Sequence, residues 1–464
     1  MPESAHESRQ VTSRRSHRVF IGPINVASYY SGLQAGLREL GTDAELVLFT
    51  KHRYLRNALQ AKSPKPVVFL DWCVNHVCQV TPSRSPTRTL ARILFPFAKA
   101  LVFLWSLVCC DVFVFAAAKG FYSLYELPFL KLLGKRLIFV FNGSESRPAY
   151  LGGAVGDGLS RKPIERMIRR AARQKQRIRW IEKYADVCIN HAPQAHFHEK
   201  PYIDHCAIGH PVSLNDSSDH QHQVDASDAD GSADSVRIVH APSVCGPKGT
   251  DQIRAMIKEL QEEGLAIDYV ELTGRPNSEV LAELQRCDFV VDELYSDISL
   301  AGLGTEAAFF GKAAVVGGYA QETLQSLAGS SRLPMATYVK PHEAKDMIRR
   351  LIVDVRFREE CGTTAHRFVH ETWAPAKMAA RFLQLIDGNI PDEWCVRPAD
   401  VTYLHGFGTT EETRRQVLRK VIAAGGRQSL RLCDKPNLEQ ALVDFAAAVT
   451  VIPAPNSAAE PVFP

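Results

Sequence analysis

The feature that most constrains this chain is an alternation of short apolar runs and stretches of helical spacing, interrupted once. Before the interruption come "RVFI" (18–21), "AELVLF" (44–49), "PVVFL" (66–70), "VFVF" (112–115), "RLIFVF" (136–141) and "DVCIN" (186–190). After it come "VRIVHA" (236–241), "IDYVEL" (267–272), "DFVVD" (288–292), "AAVV" (313–316) and "ATYVK" (336–340). Continuous Val, Ile and Phe runs suit strands covered on both faces, and intervening helices make the sheet parallel. One such helix is "SYYSGLQAGLRELG" (28–41), with Leu33, Leu37 and Leu40 on one side and Gly41 at its end. The interruption, "SLNDSSDHQHQVDASDADGSADS" (213–235), holds too little large apolar surface to offset the entropy of ordering, so it reads as a flexible linker. A chain of 464 residues also exceeds what one core serves. Two successive α/β domains follow.

Composition excludes several classes. With 45% hydrophobic residues, 23% charged and a net charge of +4, the chain is a globular protein with a mildly basic balance. Its eleven cysteines show no zinc-type pairing: Cys73 and Cys78 stand five apart and no second pair follows. The polar start "MPESAHESRQVTSRRSHR" lacks the apolar core of a secretory signal, and free thiols favour the cytoplasm. The longest apolar run, "ALVFLWSLVCC" (100–110), is about half of the roughly 20 residues that a spanning helix needs. It reads as a buried helix or a membrane-touching segment rather than a span.

Three stretches can carry chemistry. In "GLGTEAAFFGKAAVV" (302–316), Gly302 to Thr305 read as a turn at a helix N-terminus, where free amides make an anion site. Glu306 then falls in the first helical turn, either as a sugar-hydroxyl ligand or as an acid favoured there by the helix dipole. In "RIVHAPSVCGPKGTDQIRAMIKEL" (237–260), Lys248 precedes a helix where an ammonium can meet a phosphate; the alternative is a solvated loop lysine. His240 reads as a strand-end packing residue. The stretch "RKPIERMIRRAARQKQRIRWIEK" (161–183) is strongly basic, with Ile164, Met167, Ile168, Ala171 and Ala172 able to share a face. Such a helix suits anionic lipid or is simply a solvated basic face. No nucleic-acid motif accompanies it, so no nucleic-acid partner is expected.

Together these stretches resemble the nucleotide-sugar-dependent glycosyltransferases of the GT-B fold, family-4 type, of bacterial polysaccharide synthesis. The resemblance rests on "RIVHAPSVCGPKGTDQI", "NSEVLAELQRCDFVVDEL", "GLGTEAAFFGKAAVV" and "TWAPAKMAARFLQLI" (372–386), and less on "GPINVASYYSGLQAGLRELG" and "LPFLKLLGKRLIFVFNGSESR" (127–147). It implies two Rossmann-like domains facing a central cleft, with a C-terminal helical extension. The expected layout is a disordered basic start at 1–16, an acceptor domain at 17–212, the linker at 213–235, a donor domain with its closing helix at 236–390, and an extension at 391–464 with a disordered end.

The resemblance further implies metal-independent, retaining transfer of a sugar from a nucleoside diphosphate, with no cofactor. Glu306 would grip the donor ribose and Lys248 would neutralise the diphosphate. Ser243, Gly249, Leu303, Gly304 and Thr305 would line the donor pocket, and Gly22, Asn25, Asn142 and Arg147 the acceptor side. The acceptor would be a glycan or lipid-linked, met at the cytoplasmic face of the membrane, with 161–183 touching anionic lipid. Two positions depart from the family pattern. Ile298 stands where a partner acid is usual, with Asp297 beside it, and Pro242 and Ser243 stand where an Arg is usual. Arg275 is the candidate replacement cation. "DAD" (228–230) lies in the linker and supplies no metal site. Two other readings remain open: a sugar-nucleotide epimerase and an inactive nucleotide-binding scaffold.

Overall fold

The computed structural model describes residues 17–50, 63–78, 86–153, 160–212, 235–328 and 336–448. The linker at 213–234, the first sixteen residues and the end beyond 448 lie outside the described residues, so the expectations of disorder there lie outside them too. The strands are β1 (Arg18–Gly22), β2 (Asp43–Leu46), β3 (Val112–Ala116), β4 (Arg136–Val140), β5 (Val187–Asn190), β6 (Tyr202–Asp204), β7 (Val236–His240), β8 (Ile267–Glu271), β9 (Phe289–Ser296), β10 (Ala313–Gly318), β11 (Thr337–Val339) and β12 (Cys395–Val396). They form two sheets, ordered β12-β6-β5-β4-β3-β1-β2 and β11-β10-β9-β7-β8. Every pairing is parallel except that of β12 with β6. These are two Rossmann-like α/β domains, as the alternation predicts.

The apolar runs work as expected for strands covered on both sides. β1 sends Phe20 to one face and Val19 and Ile21 to the other. Phe113, Phe115 and Phe139 join Phe20, while Val114, Ile138 and Val140 join the second set. The Pro375–Asp387 helix buries Met378, Phe382, Leu385 and Ile386 in this first-domain core, so the closing helix does cross back.

Three details differ from the sequence reading. "PVVFL" is not a strand but the start of the Lys65–Val77 helix, whose buried Val67, Leu70, Cys73 and Val74 keep helical spacing. A short apolar run is ambiguous until the residues after it fix the period. The apolar run at 100–110 belongs to a longer helix, Pro86–Cys109, which among the described residues is the one helix long and apolar enough to cross a membrane. Its inner face, with Ala91, Ala98, Val102 and Ser106 buried, is fixed to the first domain.

Third, the segment after 390 is helical as expected, but it also adds a strand and packs into the first domain. β12 extends the first sheet, and the Glu411–Gly425 and Pro436–Ala447 helices bury Val417, Leu418, Val421 and Leu442 in the first-domain core. Arg414, fully buried, is satisfied by oxygens alone. It donates to the carbonyls of His405 (3.0 Å), Gly152 (3.2 Å), Phe407 (3.0 Å) and Tyr150, and to Thr409 Oγ1 (2.8 Å). Burial without a facing carboxylate draws its guanidinium down to about 10.

Candidate functional site

In open parallel sheets, ligands sit beyond the strands' carboxyl ends where the winding reverses. Here that point lies between β1 and β3 in the first sheet and between β7 and β9 in the second. The loops after β1, β7 and β9 are therefore the ones that topology aims at the cleft.

The loop after β7 runs through a single turn of helix, Cys245–Lys248, to Gly249, whose positive φ of 75° starts the Thr250–Glu262 helix. This places Lys248 over the end of β9. Its ammonium is not free for a phosphate, as the sequence reading expected, but pairs with Glu293 and lies 3.4 Å from Asp292 Oδ1. Burial works to lower the lysine, but Glu293 and Asp292 outweigh it and hold it above its ordinary value. Burial pushes the Glu293 carboxyl up, against the pull of Lys248. His240 is structural as expected: its Nδ1 contacts the Val291 carbonyl at 2.7 Å and its Nε2 the Thr250 hydroxyl at 2.9 Å, and burial draws its imidazole below the ordinary value.

The helix after β9 begins earlier than the sequence suggested, spanning Gly302–Phe309. Its first turn holds no acid, so Glu306 sits one turn in and the dipole explanation for it loses force. The expected amides are also engaged. Gly304 N–H donates to Asp292 Oδ2 at 3.2 Å, and Thr305 N–H to Ala301 O at 2.9 Å. Gly304 is small for a reason, since a Cβ there would lie 3.1 Å from that same Asp292 oxygen. Leu303 packs into the second-domain core. The Asp292 side chain thus occupies the lysine-and-amide cradle expected for a phosphate.

Glu306 has its own surroundings. Asn277 Nδ2 donates to its Oε1 at 3.3 Å, and burial raises its carboxyl to about 7. It lines a small cavity of about 20 Å³ with Asn277, His210, Ala27 and Ser28. Ala27 and Ser28 belong to the loop after β1, so the two domains do meet at this acid.

The acceptor-side residues are committed to structure. A Cβ on Gly22 would sit 2.3 Å from the Val47 carbonyl, so Gly22 serves strand packing. Asn25 Oδ1 accepts from the Tyr30 N–H at 3.1 Å at the start of the Tyr29–Glu39 helix. Asn142 Oδ1 accepts from the Tyr30 hydroxyl at 2.6 Å. Arg147 donates to both oxygens of Asp297, at 2.5 and 2.7 Å, and Gln194 adds a bond of 3.1 Å. Both partners of this pair are buried, and they join the two domains. Arg275 stays exposed, 3.6 Å from Glu279, and Ser243 is exposed as well; neither joins the cluster.

What the sequence reading missed is a cleft of about 970 Å³ walled mainly by the first domain and touched by the second at Pro247. Arg147, Arg166 and Arg170 line it from the first domain, Pro247 from the loop before Lys248, and Phe407 from the segment after 390. Arg147 also stacks on Phe407, 4.5 Å from ring centre to guanidinium. Arg166 and Arg170 are exposed, with no carboxylate partner among the described residues. The signal was present in the basic stretch 161–183, whose first half turns out to wall this cleft.

No protein-family model matches the chain, and no curated protein is similar to it in sequence. Among solved structures it is similar to Alr3699/HepE of Anabaena in complex with UDP and glucose, at 11% identity and a TM-score of 0.41, over 80% of this chain and 99% of that one. It is similar to the glycosyltransferase SnogD of Streptomyces nogalater at 14% identity and a TM-score of 0.37, over 80% and 100%. UGT2 of Phytolacca americana, complexed with UDP-2fluoro-glucose and pterostilbene, gives 10% and 0.41, over 80% and 98%. At TM-scores below 0.5, none of these likenesses carries a functional assignment.

Proposed function

We propose that the chain is a glycosyltransferase that moves a sugar from a nucleoside diphosphate to a glycan or lipid-linked acceptor, with retention and without a metal. The observation that carries this reading is the cleft of about 970 Å³ where the two Rossmann-like domains meet, with Arg166 and Arg170, which have no carboxylate partner among the described residues, on one side and Pro247 of the Lys248 loop on the other. That volume suits a nucleotide sugar, and its charge suits a diphosphate.

In this reaction the bond from the sugar's anomeric carbon to the diphosphate oxygen breaks, and one to the acceptor oxygen forms. The nucleoside diphosphate keeps the electron pair, and the acceptor's proton passes to a leaving phosphate oxygen. Lys248 and the Gly304 amide would stabilise that developing charge, a preorganised effect worth several kcal/mol in such sites. To do so they must exchange Glu293 and Asp292 for phosphate oxygens. Glu306 would take the ribose hydroxyls, and Asp297 stands nearest to the place of the missing family acid. The reading places the enzyme in the cytoplasm, at the inner face of the membrane.

The test is calorimetric titration of UDP, GDP and ADP into wild type and Glu306→Ala. One nucleotide should bind, and the variant should lose about 1–3 kcal/mol, the size of a hydrogen bond to a charged group. A second reading, an inactive scaffold, draws on the two carboxylates already seated in the phosphate cradle. Donor hydrolysis or transfer that depends on Glu306 would exclude it; nucleotide binding without any turnover would put it first.

A further inference from the structure

The Pro86–Cys109 helix has an inner and an outer face of opposite fates. Ala91, Ala98, Val102 and Ser106 are buried against the first domain. On the outside, Leu90, Ile93, Phe97, Leu101, Leu104 and Val108 are all exposed, from 49% at Leu90 to 84% at Val108. Their spacing of three and four residues makes one stripe, about 27 Å long at the rise of an α-helix. A stripe of this kind on a globular surface marks an interaction site. It continues sideways: Tyr122 meets Phe103 edge-on at 5.5 Å, and Tyr125 and Leu132, each at least 80% exposed, lie on the segment that follows.

We propose that this outer face docks on an anionic lipid surface, the helix lying flat with its apolar stripe immersed. Charge selects that occupant. The helix contains Arg88, Arg92 and Lys99 and no acidic residue. The cationic Arg161–Tyr184 helix is linked to the patch through Trp180, whose indole N–H donates to the Leu124 carbonyl at 2.9 Å. That second helix contributes to the lipid contact expected of 161–183 by charge and not by an apolar face. Its apolar residues Ile164, Ala171, Ile178 and Ile181 are buried in the protein's own core. It offers charge alone: Arg169, Arg173 and Arg177 are exposed and without carboxylate partners among the described residues. Apolar area from one helix and attraction from another are the two signals that stable peripheral binding requires. The docking does not depend on the glycosyl-transfer reading.

The test is flotation of the full chain with phosphatidylcholine vesicles, with and without phosphatidylglycerol, at low and physiological salt. Wild type should float with the anionic vesicles. Phe97→Asp/Leu104→Asp should lower partitioning at least about tenfold, with thermal unfolding and circular dichroism unchanged because both sites are exposed. Val108→Asp, at the most exposed position, serves if the double variant misfolds and should lower partitioning in the same direction. Arg169→Glu/Arg173→Glu should weaken binding and flatten its salt dependence. Failure of wild type to float, or undiminished flotation of the stripe variants, overturns the proposal. So does light scattering that finds a dimer which Phe97→Asp/Leu104→Asp converts to monomer, since a second copy would then be the occupant.

Discussion

Lys248, half-buried, reaches the buried Asp292 and Glu293, so that one lysine serves two acidic side chains. Removing the cation leaves two buried carboxyl groups with only hydrogen bonds such as that from the Gly304 N–H to Asp292, close to the situation in which breaking a buried pair costs about 3–5 kcal/mol. Lys248→Met should therefore destabilise by about that amount in chemical denaturation. Lys248→Met/Glu293→Gln should recover part of it, because one of the stranded charges is gone. Equal losses in the two variants would show that packing, not charge, is at stake. Glu306 makes a second prediction at this scale. Its folded value of about 7 lies above the ordinary 4.5, so between those values the folded state holds a proton that the unfolded state has lost. Stability must then fall as pH rises across that window. Glu306→Gln removes the dependence and should gain on wild type from pH 5 to pH 8, by at most about 3 kcal/mol. Parallel melting curves against pH would refute the raised value. Both residues were visible in the sequence as candidates, because a lysine or an acid in a loop after a strand is a chemical signal. Their partners were not, because Asn277 and Asp292 are 29 and 44 positions from the atoms they serve.

At the scale of elements, the parallel strands were readable because each run needed only local composition, whereas the elements that join distant parts of the chain were not. β6 and β12 are three and two residues long; β6 is held between β5 and β12, and β12 pairs with β6 across the chain. No period can announce a strand that short. The closing helix was readable from its resemblance, but not the fit that seats it. Gly36, in the Tyr29–Glu39 helix, would place a Cβ 2.0 Å from the Pro375 carbonyl, so these helices touch backbone to backbone at the closing helix's first residue. Gly36→Ala favours the isolated helix by propensity, yet must force the pair apart. The expected outcome is a net loss of about 1–3 kcal/mol in denaturation, the range for overpacking. A stabilised variant would mean that the closing helix moves away from this contact without cost.

Across the whole molecule, the two domains are held by unlike means. The segment after 390 and the closing helix are fastened to the first domain by apolar burial, and Arg414 ties Phe407 and Gly152 beside the cleft. Between that assembly and the second sheet, the buried ion pair is Arg147 with Asp297, accompanied by the Gln194 amide donating to Asp297 and the Gly408 N–H donating to the Tyr295 carbonyl. Around it the surfaces close tightly: Gly153, Gly408 and Pro247 meet so closely that a Cβ on either glycine would lie within 3.1 Å of the proline's Cβ. An ion pair is a suitable latch for a cleft that must open, because water can take over both charges once the surfaces part. Arg147→Ala leaves Asp297 buried with Gln194 alone, and the domains can relieve that charge by separating. Small-angle scattering should then show a larger radius of gyration than wild type, and calorimetry should resolve two unfolding transitions. Arg147→Ala/Asp297→Ala, with no charge left to hydrate, should return most of the way to the closed dimensions. If scattering is unchanged in the single variant and one transition remains, the remaining interdomain contacts suffice to hold the domains, and the pair is not the latch.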